Sequence, residues 1–430
     1  MNATLSITII IYYILSISNI AYLFGKYKVC PELMTSVLQL IMFFGITNYV
    51  DLSNECDREL LLIYAVGLLS YIIGEVFFLT LFRPKRIMQI ESNYGYYNIR
   101  KPYTFIIIVF SIVICSLFYI RGGGNVFLNG IRALFSGQQY STKYARMSLL
   151  SVSGVGYVYQ IRVIIFPLIV LYYIMVNKRK LTSAALAVLA LIFLIGTGQR
   201  GGLVSVMAIY VLTVYYWMRR RNEDEQVSQF KKIRTYVLII SIALALFGLS
   251  TIMNGRVSSG GSVFSSIVRR FLADNQNSAI YAFRYIKTQP IQYGYDWFSQ
   301  MKDVLPGKNT YDALDTRVFA YIYGGSRAGT APPCIWGSAY YNFGYFGIVL
   351  IGFAQAFIST KTHSLFTRRD NDEFSIICYS GLQFLSAYWV AGGPVNLVNN
   401  GFVSVILLYM LMKLALRFRI VFGTRGKRPL

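Results

Sequence analysis

Runs of roughly 20 residues almost free of charge are long enough, as helices, to cross the apolar layer of a bilayer. This chain begins with one at residues 5–24, and others fall near 33–50, 60–82, 103–120, 153–176, 235–253, 336–358, 374–391 and 400–416. Two shorter apolar runs flank the sequence GTGQRGG at 196–202 and read as a tight helical hairpin. Lipid offers no partner for a backbone N–H or C=O, so each run must satisfy its own as a helix. The expected fold is therefore an all-α polytopic membrane protein of about 11 transmembrane helices, a single integral membrane domain over 1–430. Composition agrees: hydrophobic residues make up 55%, charged residues 14%, and mean hydropathy is +0.50, outside the range of soluble domains. No charged segment precedes residues 5–24, so they read as a retained span rather than a cleaved signal.

The connectors set the orientation. Lys26 and Lys28, the cluster Arg83, Lys85 and Arg86, the NKRK of 177–180, the RRR of 219–221, and Lys361, Arg368 and Arg369 all adjoin apolar runs, whereas 51–59 holds Asp51, Glu55, Asp57 and Glu59 against Arg58 alone. Basic ends stay cytoplasmic. The net charge of +23 thus belongs to membrane topology, and no nucleic-acid partner is expected. The acidic connector 51–59 then lies outside, as do two larger pieces, 121–152 and the large loop 254–335. The large loop carries Arg256, Arg269, Arg270, Arg284, Lys287, Lys302, Lys308, Arg317 and Arg327 with interleaved tyrosines and Trp297, a surface suited to sugar rings and an anion. Its segment SSIVRRFLADNQNSAIYAFRYI has the apolar spacing of amphipathic helices at a membrane surface.

Several chemistries lack their signatures. The chain has no Walker A, HExxH or GxSxG motif, which removes the usual marks of ATP-driven transport, zinc proteases and serine hydrolases. Its five cysteines form no CxxC or Cys/His cluster, so no metal or other cofactor is expected, and a Cys56–Cys334 disulfide stays open. The one histidine, His363, lies among Lys361, Arg368 and Arg369 and reads as a dispensable surface residue. Arginine remains. Arg162 sits inside a span, where a charge costs on the order of 2.5–3.5 kcal/mol; it either lines a cavity or pairs with Glu75, the acidic residue well inside a span. Arg200 occupies the glycine-rich hairpin turn. Guanidinium groups converging on one cavity would hold a diphosphate through paired hydrogen bonds.

The order of features resembles the Wzy-type polymerases of O-antigen, enterobacterial common antigen and capsule repeat units: GTGQRGG on a short hairpin, Arg256 after it, a long external loop, then SRAGTAPPCIWGSAYYNFGYFGIVLIGF entering a span. The resemblance covers roughly 120–360. It implies a C-type glycosyltransferase-like helical membrane protein of the bacterial inner membrane, multi-pass, with its active site facing the periplasm. It implies undecaprenyl-diphosphate-linked oligosaccharides as substrates, with membrane lipids and a chain-length regulator as partners. Related O-antigen ligases carry a functional histidine on the external loop, and this chain has none there. Combined with the charge requirement, the expectation is a metal-independent glycosyltransferase. A hydroxyl on the non-reducing sugar of an incoming unit attacks the anomeric carbon of the growing chain and expels its lipid diphosphate. Arg146, Arg162, Arg200, Arg256, Arg270 and Arg327 are the candidate ligands of diphosphate and glycan, and Asp274 and Asp296 the candidate catalytic carboxylates. The alternatives are a flippase moving the same lipid-linked oligosaccharide, or an O-antigen ligase; the unrepeated, loop-dominated sequence disfavours the flippase.

Overall fold

The structure is a computed structural model that describes residues 3–85, 94–136, 142–152, 154–177, 179–198, 201–224, 275–305, 311–324, 329–368 and 371–417. The elements are helices: α1 Ala3–Tyr27, α2 Pro31–Thr47, α3 Glu55–Phe82, α4 Tyr94–Arg121, α5 Val126–Ser136, α6 Thr142–Leu150, α7 Val155–Val176, α8 Lys180–Ile195, α9 Gly201–Asp224, α10 Asn275–Lys287, α11 Tyr295–Lys302, α12 Leu314–Tyr323, α13 Cys334–Thr367, α14 Glu373–Tyr388 and α15 Phe402–Leu414. Among the described residues seven helices are long and apolar enough to cross a membrane, and three shorter apolar helices (α2, α8 and α15) coincide with further expected spans. The run at 235–253 lies outside the described residues. The chain is thus an all-helical membrane protein.

Contacts group into two compact units. One comprises residues 1–89, 237–370 and 379–402, the other 90–236, 371–378 and 403–430. In the first unit α3 and α13 lie side by side because small residues let their backbones meet. A Cβ built on Gly67 would fall 2.6 Å from the Trp336 ring, and one on Gly352 would fall 2.8 Å from the Ser70 Cβ. Gly67→Val should therefore lower stability by about 1–3 kcal/mol, the usual cost of overpacking. A detergent melt of the purified variant checks it, and an unchanged midpoint would mean that the Trp336 ring yields.

The two ends of this unit differ in charge. At one, Arg284 of α10 donates Nε to Asp57 Oδ1 at 2.8 Å and Nη2 to Oδ2 at 2.7 Å, and Lys287 pairs with Glu59 at 2.9 Å. The Glu59 carboxylate holds Lys287 above its ordinary pKa. At the other, Arg368 donates to the Arg83 carbonyl at 3.3 Å and the Lys85 amide to Thr367 at 3.1 Å. Within this unit the acidic 51–59 connector and α10 of the large loop share one end, and Arg83, Lys85 and Arg368 share the other. This is the relative sidedness the connector charges predict. In α10, Ala279, Ile280, Phe283 and Ile286 are buried while Tyr281 is exposed, so the amphipathic stripe packs on the spans. Arg284→Ala leaves the buried Asp57 carboxylate without its partner. We expect it to lose about 2 kcal/mol of stability, read as a lower detergent melting midpoint that Arg284→Lys restores only in part.

In the second unit, Arg100 of α4 pairs with Asp372 at 2.7 Å and donates Nε to the Met412 carbonyl of α15 at 3.1 Å. Asp372 in turn accepts from the Ser375 amide at 2.9 Å and caps α14. The described cysteines are free thiols, which closes the Cys56–Cys334 disulfide.

Candidate functional site

Three segments of the large loop and the start of α13 build a cluster around one carboxylate. Tyr293 (φ 48°) and Gly294 (φ 85°) adopt left-handed backbone in succession and turn the chain into α11. A Cβ on Gly294 would meet the Phe343 ring at 2.7 Å, so both conformation and space call for glycine. Asp296 follows in the first turn of α11 and is fully buried. Burying a carboxylate is costly unless its oxygens find donors. Oδ1 accepts from the Tyr311 hydroxyl at 2.9 Å and Arg317 Nη2 at 3.4 Å. Oδ2 accepts from Gln300 Nε2 at 2.9 Å and Asn342 Nδ2 at 3.4 Å.

The same carboxylate fixes Arg317 of α12. Arg317 also donates to the Tyr311 hydroxyl at 2.6 Å and lies over the Tyr311 and Tyr341 rings at 5.3 and 5.6 Å. Burial, then the Asp296 charge, push Tyr311 above its usual pKa, so it remains a phenol that donates to Asp296 while accepting from Arg317. Burial, opposed by local hydrogen bonds and reinforced by Asp296, raises the pKa of Asp315. One donor in this cluster is unspent. Arg317 Nε is buried and has no hydrogen-bond partner among the described residues. An anionic oxygen is the ligand such a donor suits.

A break in α13 frees the backbone beside the cluster. Phe343 (φ −142°, ψ 17°) and Gly344 (φ 59°, ψ −145°) are non-helical, and the Tyr341 carbonyl accepts from the Gln292 amide at 3.0 Å. Trp297 locks the junction from the loop side by donating Nε1 to Ser338 at 2.9 Å. Sequence reasoning singled out Asp296, counted Arg317 and Tyr311 only among the basic residues and tyrosines of the loop surface, and passed over Tyr341 and Asn342. The last two lie inside the SRAGTAPPCIWGSAYYNFGYFG stretch, the available signal for them.

Arg200, Arg256, Arg270, Arg327 and Asp274 lie outside the described residues. Arg146 is half-buried on α6. Arg162 lies in a π-helical turn of α7, Ile161–Ile165, and is buried at 2% exposure. Its Nη1 donates to the Phe193 and Leu194 carbonyls at 3.1 and 2.9 Å, at the C-terminal end of α8. Tyr119 donates to the Phe193 carbonyl at 2.6 Å and Asn125 to that of Ile192 at 3.1 Å, so the orphan carbonyls of this helix end are met by side chains. Glu75, which the sequence offered as one of two readings for Arg162, accepts from Asn19 at 3.2 Å, and Arg162 answers a helix terminus.

His363 also departs from expectation. It is buried at 1% exposure, with Nδ1 3.1 Å from Glu32 Oε1 and 3.0 Å from Oε2. The reason is that α13 continues to Thr367, so residue 363 lies on a helix face turned into the unit and not in a connector. No protein-family model matches the chain, and no curated protein or solved structure matches it.

Proposed function

We propose that this chain is an inner-membrane polymerase of undecaprenyl-diphosphate-linked oligosaccharide repeat units, with its large loop on the periplasmic side. The observation that carries the reading is Arg317, locked by Asp296 and Tyr311 with its buried Nε unspent among the described residues. Such a guanidinium stabilises charge that develops on a departing diphosphate, since it is oriented before the reaction begins. In the reaction, the acceptor hydroxyl oxygen forms the new bond to the anomeric carbon. The bond from that carbon to the diphosphate oxygen breaks, its electron pair stays on the diphosphate, and the hydroxyl proton passes to a base. Both Asp296 oxygens are already engaged by donors, so Asp296 acts through Arg317 and Tyr311 as a positioning residue. Asp274 remains the candidate base. Arg200, Arg256, Arg270 and Arg327 remain the candidate arginines for the rest of the lipid diphosphate.

The test is reconstitution. Purified chain in lipid nanodiscs, given lipid-linked repeat units isolated from host cells deleted for this chain, should produce a ladder of products and release free undecaprenyl diphosphate without added nucleotide. In sealed vesicles, movement of the lipid-linked unit across the bilayer with no ladder would establish the flippase reading instead. A reconstituted, folded chain that yields neither would sink both.

A further inference from the structure

At the opposite end of the first unit from the Asp296 cluster, Cys30, Glu32 and His363 come together although they are scattered in sequence. One ligating atom from each lies within 4.8 Å of the others, and all three side chains are buried. Cys30 stands in extended backbone (φ −147°) as the residue before α2, Pro31 opens the helix, and Glu32 lies in its first turn. That geometry sets Cys30 and Glu32 on one side of the connector from α1, facing His363 of α13. The Tyr27 ring packs edge-on against the imidazole at 5.1 Å.

We infer that Cys30, Glu32 and His363 bind a divalent transition metal of the zinc class, which staples the α1–α2 connector to the end of α13. Thiolate, carboxylate and imidazole are the donor types zinc accepts. The 3.0 and 3.1 Å separations of Nδ1 from the Glu32 oxygens suit two ligands sharing one small ion. Charge favours the same conclusion. With a neutral imidazole, one thiolate and one carboxylate, a divalent ion leaves no net charge on these three ligands. Thr360, one helical turn before His363, has a buried hydroxyl with no hydrogen-bond partner among the described residues. Three protein ligands leave a fourth position for a water.

The site stands apart from the polymerase reading, so its test uses binding and not polymer. Chain purified in detergent, stripped with chelator, loaded with Zn²⁺ and desalted should retain a single zinc ion by elemental mass spectrometry. Loading with Co²⁺ should give the near-ultraviolet charge-transfer band of a thiolate ligand. Zinc should raise the melting midpoint of the wild type but not of Cys30→Ser, which keeps the Glu32–His363 pair. Cys30→Ser and His363→Ala should each weaken zinc binding by more than the roughly 10- to 100-fold that outer-shell changes cost. Should either variant unfold, the wild-type stoichiometry and cobalt band still decide. A folded wild type that retains no zinc, or a cobalt complex lacking the thiolate band, overturns the proposal and leaves a Glu32–His363 ion pair only.

Discussion

Arg317→Lys should insert and fold as the wild type does, yet lower the initial rate of polymerisation by about 100-fold or more, the usual cost of removing one preorganised donor. The reason lies in how the guanidinium is divided. Nη2 is spent on Tyr311 at 2.6 Å and Asp296 at 3.4 Å, while the buried Nε has no partner among the described residues. A lysine ammonium keeps the charge but is a single point, and cannot hold Asp296 with one edge while presenting another to a ligand. Asp296→Asn makes the complementary change, since Arg317 and its ligand stay while the charge that orients Arg317 goes. It should lower kcat more than it raises KM. The ladder, the initial rate and the detergent melting midpoint are measured together. A lysine variant that keeps more than half the rate would remove Arg317 from the chemistry, and a rate loss matched by loss of folded protein would make it structural.

The spans were legible because their cause is local. Apolar length alone requires a helix in lipid, and ten of the expected spans coincide with helices of the described residues. The α10 stripe was legible for the same reason, as a periodicity within one segment. The Asp296 cluster was legible only at its centre. A carboxylate among tyrosines can be seen in sequence, but its donors Tyr311, Arg317 and Asn342 arrive from three segments that only the fold unites. His363 misled because charge in the neighbouring sequence, Lys361 and Arg368, says nothing about which helix face a residue occupies. Arg162 misled in another way. A search for its partner considers acidic side chains, whereas the structure answers it with backbone carbonyls, which every residue carries and no sequence marks.

Arg162→Ala should for that reason act on the fold. Two charge-assisted hydrogen bonds to the Phe193 and Leu194 carbonyls would be lost, at about 1.5–3 kcal/mol each, so we expect a stability loss of about 4 kcal/mol and a sharply reduced yield of monodisperse protein. The carbonyls involved belong to the last turn of α8, where positive charge also opposes the negative end of the helix dipole. Arg162→Lys keeps that charge and one donor, and should recover part of the loss. Tyr119→Phe removes a third donor from the same carbonyl cluster and should lower the midpoint further in combination, by less than the sum of the single losses, because both side chains serve the Phe193 carbonyl. If Arg162→Ala instead melts with the wild type while its polymer ladder collapses to the lowest rung, then Arg162 serves the lipid diphosphate as its place inside a span suggested, and the helix end is satisfied without it.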